Sequence, residues 1–184
     1  LNEIVHPISE DLQKVKDAFA GLLHSPVKVI NLIAGHLVRQ RGKGLRPILV
    51  ILSARICNEP TPETYNAAAL IEMLHNATLI HDDVVDDSTV RRGGPTLHTI
   101  WKNRISVLIG DYILARSLTT AVKLKNLEAI DILSESSARM SQGEISQLMN
   151  SRKKDITKEE YFQVISDKTA ALISACCQLG AISV

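Results

Sequence analysis

Apolar and polar residues are arranged along the chain in segments typical of α-helices, and prolines or capping residues stand where these segments begin. One predicted helix opens at Ser25-Pro26 and runs to about Gln40, and a second runs from Pro47 to about Cys57. No run of four to eight β-branched residues alternates with polar ones between turns. All-α is therefore the predicted fold class.

The longest predicted helix lies in the middle of the chain. It begins at "TPET" from Thr61, with a proline in its first turn and a glutamate near the positive end of the helix dipole, and it runs through residue 87. A polar loop follows at 88–96 and contains two glycines and a proline. Further helices are predicted at about 104–122, 127–150 and 158–182. The last begins at "TKEE" from Thr157, which has the spacing of a capping box.

Composition and net charge narrow the class of protein. Hydrophobic residues make up 45% of the 184 residues but aromatic residues only 3%, so aliphatic side chains fill the interior, as in packed helices. We expect one domain over residues 1–184. The formal net charge of +1 argues against a nucleic-acid partner or an anionic membrane surface.

Cysteine usage and apolar runs indicate the compartment. Cys57, Cys176 and Cys177 form neither a disulfide framework nor a zinc motif, which favours a reducing environment. The N-terminal residues lack the pattern of a signal peptide. The longest strongly apolar run, "PILVIL" from Pro47, is far shorter than the roughly 20 residues of a membrane span. We expect a cytoplasmic protein without a transmembrane segment.

Four aspartates, Asp82, Asp83, Asp86 and Asp87, lie at the end of the central predicted helix. Neighbouring carboxylates repel one another and oppose the helix dipole at this end. Asp82 and Asp86 share one helix face and form a hard-oxygen site that suits Mg²⁺, which takes its other ligands from water and substrate phosphates. The alternative is a solvated acidic helix end without a ligand. The apolar sequence before the cluster, "IEMLHNATLI", favours the metal site.

Basic residues occur in two loops near this cluster. Lys43 and Arg46 lie in "RGKGLRP", and Arg91 and Arg92 lie in the loop after the aspartates. Arginine matches phosphate oxygens in a bidentate manner, and lysine supplies a compact charge. "GKGLRP" alone is a weak signal, since basic loops are usually only solvated, and it is neither a Walker A loop nor a dinucleotide fingerprint. Together with the carboxylates, however, these cations indicate a polyphosphate substrate.

These residues resemble the trans-isoprenyl diphosphate synthase family, the all-α enzymes of isoprenoid biosynthesis that build prenyl chains. The resemblance runs from about residue 40 to the end and is carried by "GKGLRP" (42–47), "EMLHNATLIHDDVVDDSTVRRGGPTLH" (72–98) and "DKTAAL" (167–172). "GDYILA" (110–115) and "GEISQL" (143–148) are also similar to family segments. The resemblance implies a helical bundle of the isoprenoid synthase type with a central active-site cavity.

The resemblance also implies a role for each candidate residue. The allylic diphosphate and its Mg²⁺ would be held by Asp82, Asp83, Asp86, Arg91, Lys168 and Thr169, of which Asp82 and Asp86 would coordinate the metal. Isopentenyl diphosphate would be bound by Lys43, Arg46, His75 and Arg92. His75 lies two helical turns before Asp82 on the same face, although a lone histidine on an apolar face is more often a core residue. The implied reaction is prenyl transfer with Mg²⁺-assisted ionisation, in an apolar cavity that excludes water.

Product length in this family depends on the residues four and five positions before the first aspartate, where bulky side chains block the growing tail. Here these residues are Thr78 and Ala77, both small. We expect a product longer than farnesyl, of C20 or more. Replacement of Ala77 with Phe is expected to shorten it.

The family carries a second aspartate cluster downstream, whereas the aspartates after Asp87 are isolated in this chain. The chain ends at Val184 inside an apolar periodic segment, so we expect that the C-terminal portion of the domain is missing. This leaves open whether the 184 residues alone are active. The alternatives are a non-catalytic diphosphate-binding subunit of a heteromeric synthase, an HD-type metal phosphohydrolase suggested by "HDD", and a terpene cyclase. The resemblance also implies a homodimer.

Overall fold

The computed structural model describes residues 2–39, 42–151, 153 and 155–184. Gln40, at the end of a predicted helix, and Arg41, at the start of the basic loop, lie outside the described residues. The described helices are α1 (Asn2–Val5), α2 (Ser9–Leu22), α3 (Lys28–Arg39), α4 (Leu45–Cys57), α5 (Pro62–Val85), α6 (Leu97–Lys123), α7 (Leu127–Asn150), α8 (Lys158–Ile165) and α9 (Ala171–Ile182). The predicted all-α fold class is confirmed.

Helix α5 is the centre of the fold. It starts as predicted, because Thr61 and Thr64 form a reciprocal capping box and Pro62 follows the cap. Every residue from 67 to 77 is buried, so this stretch is enclosed on all sides. Helices α2, α4, α6 and α9 pack around it. The aspartate cluster therefore lies at the end of a core helix.

The capping signals also identify α7 and the start of α8. Asn126 accepts a hydrogen bond from the Ala129 N–H at the start of α7, which spans the predicted 127–150. Thr157 and Glu160 form the predicted capping box of α8.

Other helix boundaries differ from the sequence predictions. No helix was predicted before residue 25, yet α2 is well formed and buries Val15 and Phe19. Helix α4 begins two residues before Pro47, because Gly44 adopts a left-handed conformation with φ of 63° and turns the chain into the helix. Helix α6 begins at Leu97 rather than near residue 104, with a kink at Lys102 where φ is 69°.

The loop after the aspartates contains a short antiparallel hairpin. Strands β1 (Val90–Arg91) and β2 (Gly94–Pro95) pair Val90 with Pro95 and Arg91 with Gly94. Arg92 and Gly93 connect the strands with φ of 53° and 77°, the left-handed pair that a two-residue hairpin turn requires. The sequence predicts the loop but not this pairing, because two-residue strands leave no periodic signal.

The predicted helix 158–182 is divided in the structure. Helix α8 ends at Ile165, a π-helical turn covers Ser166–Ala170, and α9 follows. A π-turn inserts an extra residue into a helix and is frequent at functional sites. Lys168 and Thr169 both lie in this turn.

Helix α6 is long and apolar enough to cross a membrane when judged by length and composition alone. The sequence prediction of no such segment rests on uninterrupted apolar runs, whereas α6 reaches this length with polar residues among the apolar ones. In the fold, 39% of the apolar window of α6 is buried, and the helix packs against α5 and α7. Core helices of proteins without membrane spans meet the same criteria, so length and composition do not distinguish the two cases.

Candidate active site

A cavity of about 400 Å³ lies between α4, α5, α7 and the π-turn. It brings together residues far apart in the sequence, since its walls come from four separate elements. Among the predicted site residues, its lining includes Arg46, His75, Thr78, Asp82, Lys168 and Thr169. The remaining lining is mainly apolar and includes Leu79, Val85, Met140, Ile145 and Leu148. The cavity thus combines charged groups with an apolar wall.

Asp82 occupies an electrostatically unfavourable position on this cavity. Burial above all, and then the nearby Glu144 and Asp86 carboxylates, raise the pKa of the Asp82 carboxyl to about 6, against the opposing effect of Lys168 and Arg91. The Asp82 charge is therefore unfavourable chiefly because the carboxylate is partly withdrawn from water, and a cation bound beside it would offset that cost.

Asp83 and Asp86 differ from Asp82 in their surroundings. Asp83 is buried and accepts a 2.6 Å hydrogen bond from the Arg91 guanidinium, so it anchors β1 to α5. It lines a much smaller neighbouring pocket, together with Arg91 and Arg92. Asp86 is exposed at the C-terminal cap of α5. The structure therefore separates the aspartates into a cavity-lining residue, an anchor and a solvent-facing residue.

Arg46 and His75, which also line the cavity, form a direct hydrogen bond with 2.9 Å between Arg46 Nη1 and His75 Nε2. Arginine has only donors, so His75 Nε2 must be the acceptor and the imidazole must be neutral. Burial first, and then the Arg46, Arg92 and Arg91 cations, lower the pKa of His75 to about 3. The positive charge at this end comes from arginine and not from histidine.

The two basic loops approach each other beside Arg46. A Cβ atom at Gly42 would lie 2.8 Å from the Arg92 guanidinium carbon, so the two segments are in close contact at this point. Lys43 is exposed next to Gly42, at the start of the loop that leads into α4. Lys43, Arg46 and Arg92 thus lie in one region although they come from two separate segments.

Lys168 reaches the cavity through a close contact between the π-turn and α7. Its ammonium forms a 2.5 Å ion pair with Glu144. A Cβ atom at Gly143 would lie 2.6 Å from the Lys168 backbone nitrogen, so glycine is required for the turn to approach α7. Glu144 is a functional candidate that sequence reasoning missed. The segment "GEISQL" was recognised, but nothing in it assigns the glutamate a partner.

The two predicted chain-length residues have different positions. Thr78 lines the cavity, and its hydroxyl donates to the His75 carbonyl oxygen at 2.9 Å. Ala77 is 1% exposed within the helical core and is not among the cavity-lining residues. Of these two residues, Thr78 is therefore the one that can contact an apolar tail bound in the cavity.

The donor set fits a divalent cation that shares its coordination with a substrate. Within the described ranges, no group of three or more His, Cys, Asp or Glu side chains could hold a metal ion by itself. Asp82 and Asp86 are hard oxygen donors four residues apart on α5, which is the partial protein coordination that Mg²⁺ accepts when phosphate oxygens complete it. The histidine cluster of an HD-type phosphohydrolase is not found among these described residues, where His81 instead pairs with Asp111 at 3.3 Å.

Comparisons with known proteins agree with this geometry. Residues 27–184 match the polyprenyl synthetase family. The chain is 38% identical over 182 residues to octaprenyl diphosphate synthase of Escherichia coli strain K12, covering 99% of this chain and 56% of that relative. It is 36% identical over 176 residues to heptaprenyl diphosphate synthase component 2 of Geobacillus stearothermophilus, covering 96% of this chain and 55% of that relative.

A similar fold occurs in a solved structure. The crystal structure of a polyprenyl synthase from Caulobacter crescentus CB15, complexed with calcium and isoprenyl diphosphate, aligns with a TM-score of 0.93 and 36% identity. The alignment covers 98% of this chain and 55% of that one. The chain thus spans little more than half the length of the proteins it matches.

Proposed function

The chain belongs to the polyprenyl synthetase family, and we propose that the whole protein is a prenyltransferase of the long-chain type. It condenses isopentenyl diphosphate with an allylic prenyl diphosphate and gives a polyprenyl diphosphate of C20 or longer. The observation that carries the proposal is one cavity whose lining combines Asp82 and Lys168 with Arg46, His75 and apolar side chains.

The allylic diphosphate binds at the wall formed by α5 and the π-turn. Asp82 and Asp86 would hold Mg²⁺ together with the diphosphate, and its charge would offset the burial and the carboxylate repulsion that raise the pKa of Asp82. Lys168 exchanges its ion pair with Glu144 for phosphate oxygens, and Thr169 donates from the same turn. Asp83 acts indirectly, because it holds Arg91 beside the site. When bound there, Mg²⁺ supplies positive charge that stabilises the departing diphosphate.

Isopentenyl diphosphate binds at the basic region formed by Lys43, Arg46 and Arg92. The buried Arg46 Nε has no hydrogen-bond partner among the described residues, so a donor remains for an anionic ligand. His75 holds the Arg46 guanidinium as a neutral acceptor and adds no charge of its own. The arginine fork matches the oxygens of a diphosphate in a bidentate manner.

The reaction follows from this arrangement of two diphosphates around an apolar space. Loss of the allylic diphosphate leaves a carbocation, which the double bond of isopentenyl diphosphate attacks, and loss of a proton then restores an alkene. The apolar lining from Leu79, Met140 and Leu148 offers water no hydrogen-bond partners and so disfavours it beside the carbocation, with which it would react. Thr78 leaves room for the growing tail next to Asp82.

The protein acts as a dimer of two copies in the cytoplasm. Support comes from α6, whose exposed apolar side chains include Leu108, Leu118 and Val122, each more than half exposed. An apolar helix surface of this kind favours burial against further polypeptide, which we take to be a second copy of the protein. The alternative is an assembly with a different second subunit, which the name of the Geobacillus stearothermophilus relative, a component 2, favours.

An elongation assay tests the proposal. The complete protein is incubated with labelled isopentenyl diphosphate, farnesyl diphosphate and Mg²⁺, and product length is read by chromatography. The expected result is a labelled prenyl product of C20 or longer that requires Mg²⁺. Release of phosphate without carbon–carbon bond formation would contradict the proposal, and activity that appears only with a second subunit would establish the heteromeric alternative.

A further inference from the structure

The π-turn at Ser166–Ala170 presents Lys168 and Thr169 to the cavity, so whatever holds this turn also places both side chains. A π-turn is a rare conformation and persists where its surroundings stabilise it. The surroundings of this turn are well defined in the structure. They consist of a buried carboxylate and one face of α7.

Asp167 is the centre of these contacts. Its side chain is 12% exposed and accepts from Arg139 Nε at 2.9 Å and from Gln163 Nε2 at 2.6 Å. Arg139 Nη2 also donates to the Ser166 hydroxyl at 2.9 Å. The two donors on Asp167 lower the pKa of this carboxyl, Gln163 first and Arg139 next. One guanidinium therefore contacts two consecutive residues of the turn.

The contacts come from one face of α7. Arg139 and Gly143 are four residues apart, so they lie on the same side of the helix. Arg139 binds Asp167 and Ser166, and Gly143 admits the backbone of Lys168. Lys168 then projects into the cavity, where it meets Glu144. Neither Arg139 nor Asp167 lines the cavity.

We propose that Arg139 and Asp167 are positioning residues that fix the π-turn, and through it place Lys168 and Thr169 for the allylic diphosphate. The inference rests on the proposed prenyltransferase function. Loss of the ion pair lets the turn relax toward a regular helix, which rotates Lys168 and Thr169 away from the cavity wall. Neither Arg139 nor Asp167 has a hydrogen bond or ion pair to Arg46 among the described residues, so binding of isopentenyl diphosphate is expected to be unaffected.

The chain offers a matched control for this ion pair. Arg55 binds Asp11 through Nε at 3.1 Å and Nη2 at 2.8 Å, with 37% of the arginine and 6% of the aspartate side chain exposed. The Arg139–Asp167 pair has a similar arginine exposure of 35%. The Arg55 pair joins α2 to α4 and lies outside the cavity. Arg139→Ala and Arg55→Ala therefore remove the same kind of interaction at two places.

Kinetics and hydrogen exchange of the complete protein test the inference. Arg139→Ala is expected to raise KM for farnesyl diphosphate at least tenfold and to change KM for isopentenyl diphosphate less than twofold, whereas Arg55→Ala changes neither. Peptides that cover residues 163–171 should exchange backbone amides faster in Arg139→Ala than in Arg55→Ala. If Arg139→Ala does not fold, Asp167→Asn, which keeps the side-chain volume, takes its place with the same expectations.

The outcomes separate this inference from the proposed function. A wild-type protein that forms no prenyl product would overturn the function itself. An active wild-type protein in which Arg139→Ala and Arg55→Ala have the same KM for farnesyl diphosphate and the same exchange at 163–171 would overturn only the positioning role. A rise in both KM values would also overturn it, because that result indicates a general structural effect.

Discussion

At the scale of single residues, the hydrogen bond between Arg46 and His75 decides the charge of the basic region. An arginine donor requires a neutral imidazole acceptor, so the histidine contributes geometry rather than charge. The sequence places His75 on the correct helix face, but it cannot distinguish a histidine that contacts phosphate from one that holds an arginine. That distinction depends on a residue 29 positions earlier in the chain.

The neutral state of His75 predicts a specific pH dependence of stability. Its pKa is lowered to about 3 in the folded protein, while the unfolded chain takes up the proton near the ordinary value of 6.5. The stabilising contribution is therefore complete above pH 6.5 and is lost as the pH falls toward 3. Between pH 7.5 and 5 the wild-type protein should lose about 2 kcal/mol more unfolding free energy than His75→Gln, whose amide oxygen still accepts from Arg46.

Urea unfolding of both proteins at the two pH values measures this difference. Asp82 has a raised pKa and acts in the opposite direction, but it is present in both proteins and cancels in the comparison. Identical pH dependence of the two proteins would show that His75 does not remain neutral in the folded state.

The Asp82 carboxylate predicts a gain in stability when its charge is removed. Asp82→Asn relieves both the burial of a charge and the repulsion from Glu144 and Asp86. The metal-free protein at pH 7.5 should gain about 1 to 2 kcal/mol of unfolding free energy, after solvent screening of this half-buried group is allowed for. Asp86→Asn is the matched control, and because Asp86 is exposed its effect should stay within about 0.5 kcal/mol.

Denaturant unfolding in the presence of a chelator measures both variants. A destabilised Asp82→Asn protein would mean that the carboxylate is already neutralised by its neighbours. Binding of a cation beside Asp82 would then relieve no unfavourable charge in the metal-free protein.

At the scale of secondary-structure elements, capping residues in the sequence predict the helix starts that depend on contacts within the first turn. The capping boxes at Thr61 and Thr157 and the cap at Asn126 identify the starts of α5, α8 and α7, because each cap bonds within its own first turn. The π-turn at 166–170 could not be predicted in this way, since Arg139 and Gly143 on another helix stabilise it. The same limit applies to Glu144, whose partner Lys168 lies 24 positions away.

The close approach of α7 and the π-turn predicts the effect of a single methyl group. In Gly143→Ala the added Cβ would lie 2.6 Å from the Lys168 backbone nitrogen and 3.1 Å from Asp167 atoms, so the turn must move. We expect a loss of about 1 to 3 kcal/mol of unfolding free energy. Gly21→Ala on α2 is the control, because nothing lies within 4 Å of its added Cβ, and it should gain about 0.5 to 1 kcal/mol.

Chemical denaturation of the two glycine variants measures both effects. Equal stability of Gly143→Ala and Gly21→Ala would mean that α7 and the π-turn can separate without cost. Such a result would also weaken the positioning role of Arg139.

At the scale of the whole molecule, the fold brings five separate segments of the chain to one cavity and its margin. The loop at 42–46, the end of α5, the hairpin, α7 and the π-turn each contribute charged groups. The resemblance of short motifs anticipated most of these residues, but not their division into a carboxylate wall and an arginine region. That division arises from the packing of α4, α7 and the π-turn around α5.

The position of Thr78 predicts control of product length. Thr78→Phe places an aromatic ring in the cavity next to Asp82 and should shorten the main product by at least one isoprene unit. Thr119→Phe is the control, because Thr119 is exposed on α6 and does not line the cavity, so the product should be unchanged. Ala77→Phe is a less direct test, since Ala77 is enclosed in the core and its replacement also costs stability.

Chromatography of the labelled products compares these variants. An unchanged product length in Thr78→Phe, in a protein that remains active, would mean that the tail does not pass Thr78. The cavity would then be only a binding site for diphosphates.

The most direct measurement is a crystal structure of the complete protein with Mg²⁺, isopentenyl diphosphate and an unreactive allylic thiodiphosphate. We expect the allylic diphosphate between Asp82, Asp86 and Lys168, with its tail running past Thr78. We expect the isopentenyl diphosphate on Lys43, Arg46 and Arg92, with His75 still bonded to Arg46. Diphosphates bound outside this cavity, or both bound on the arginine region, would show that the proposed function of these residues is wrong.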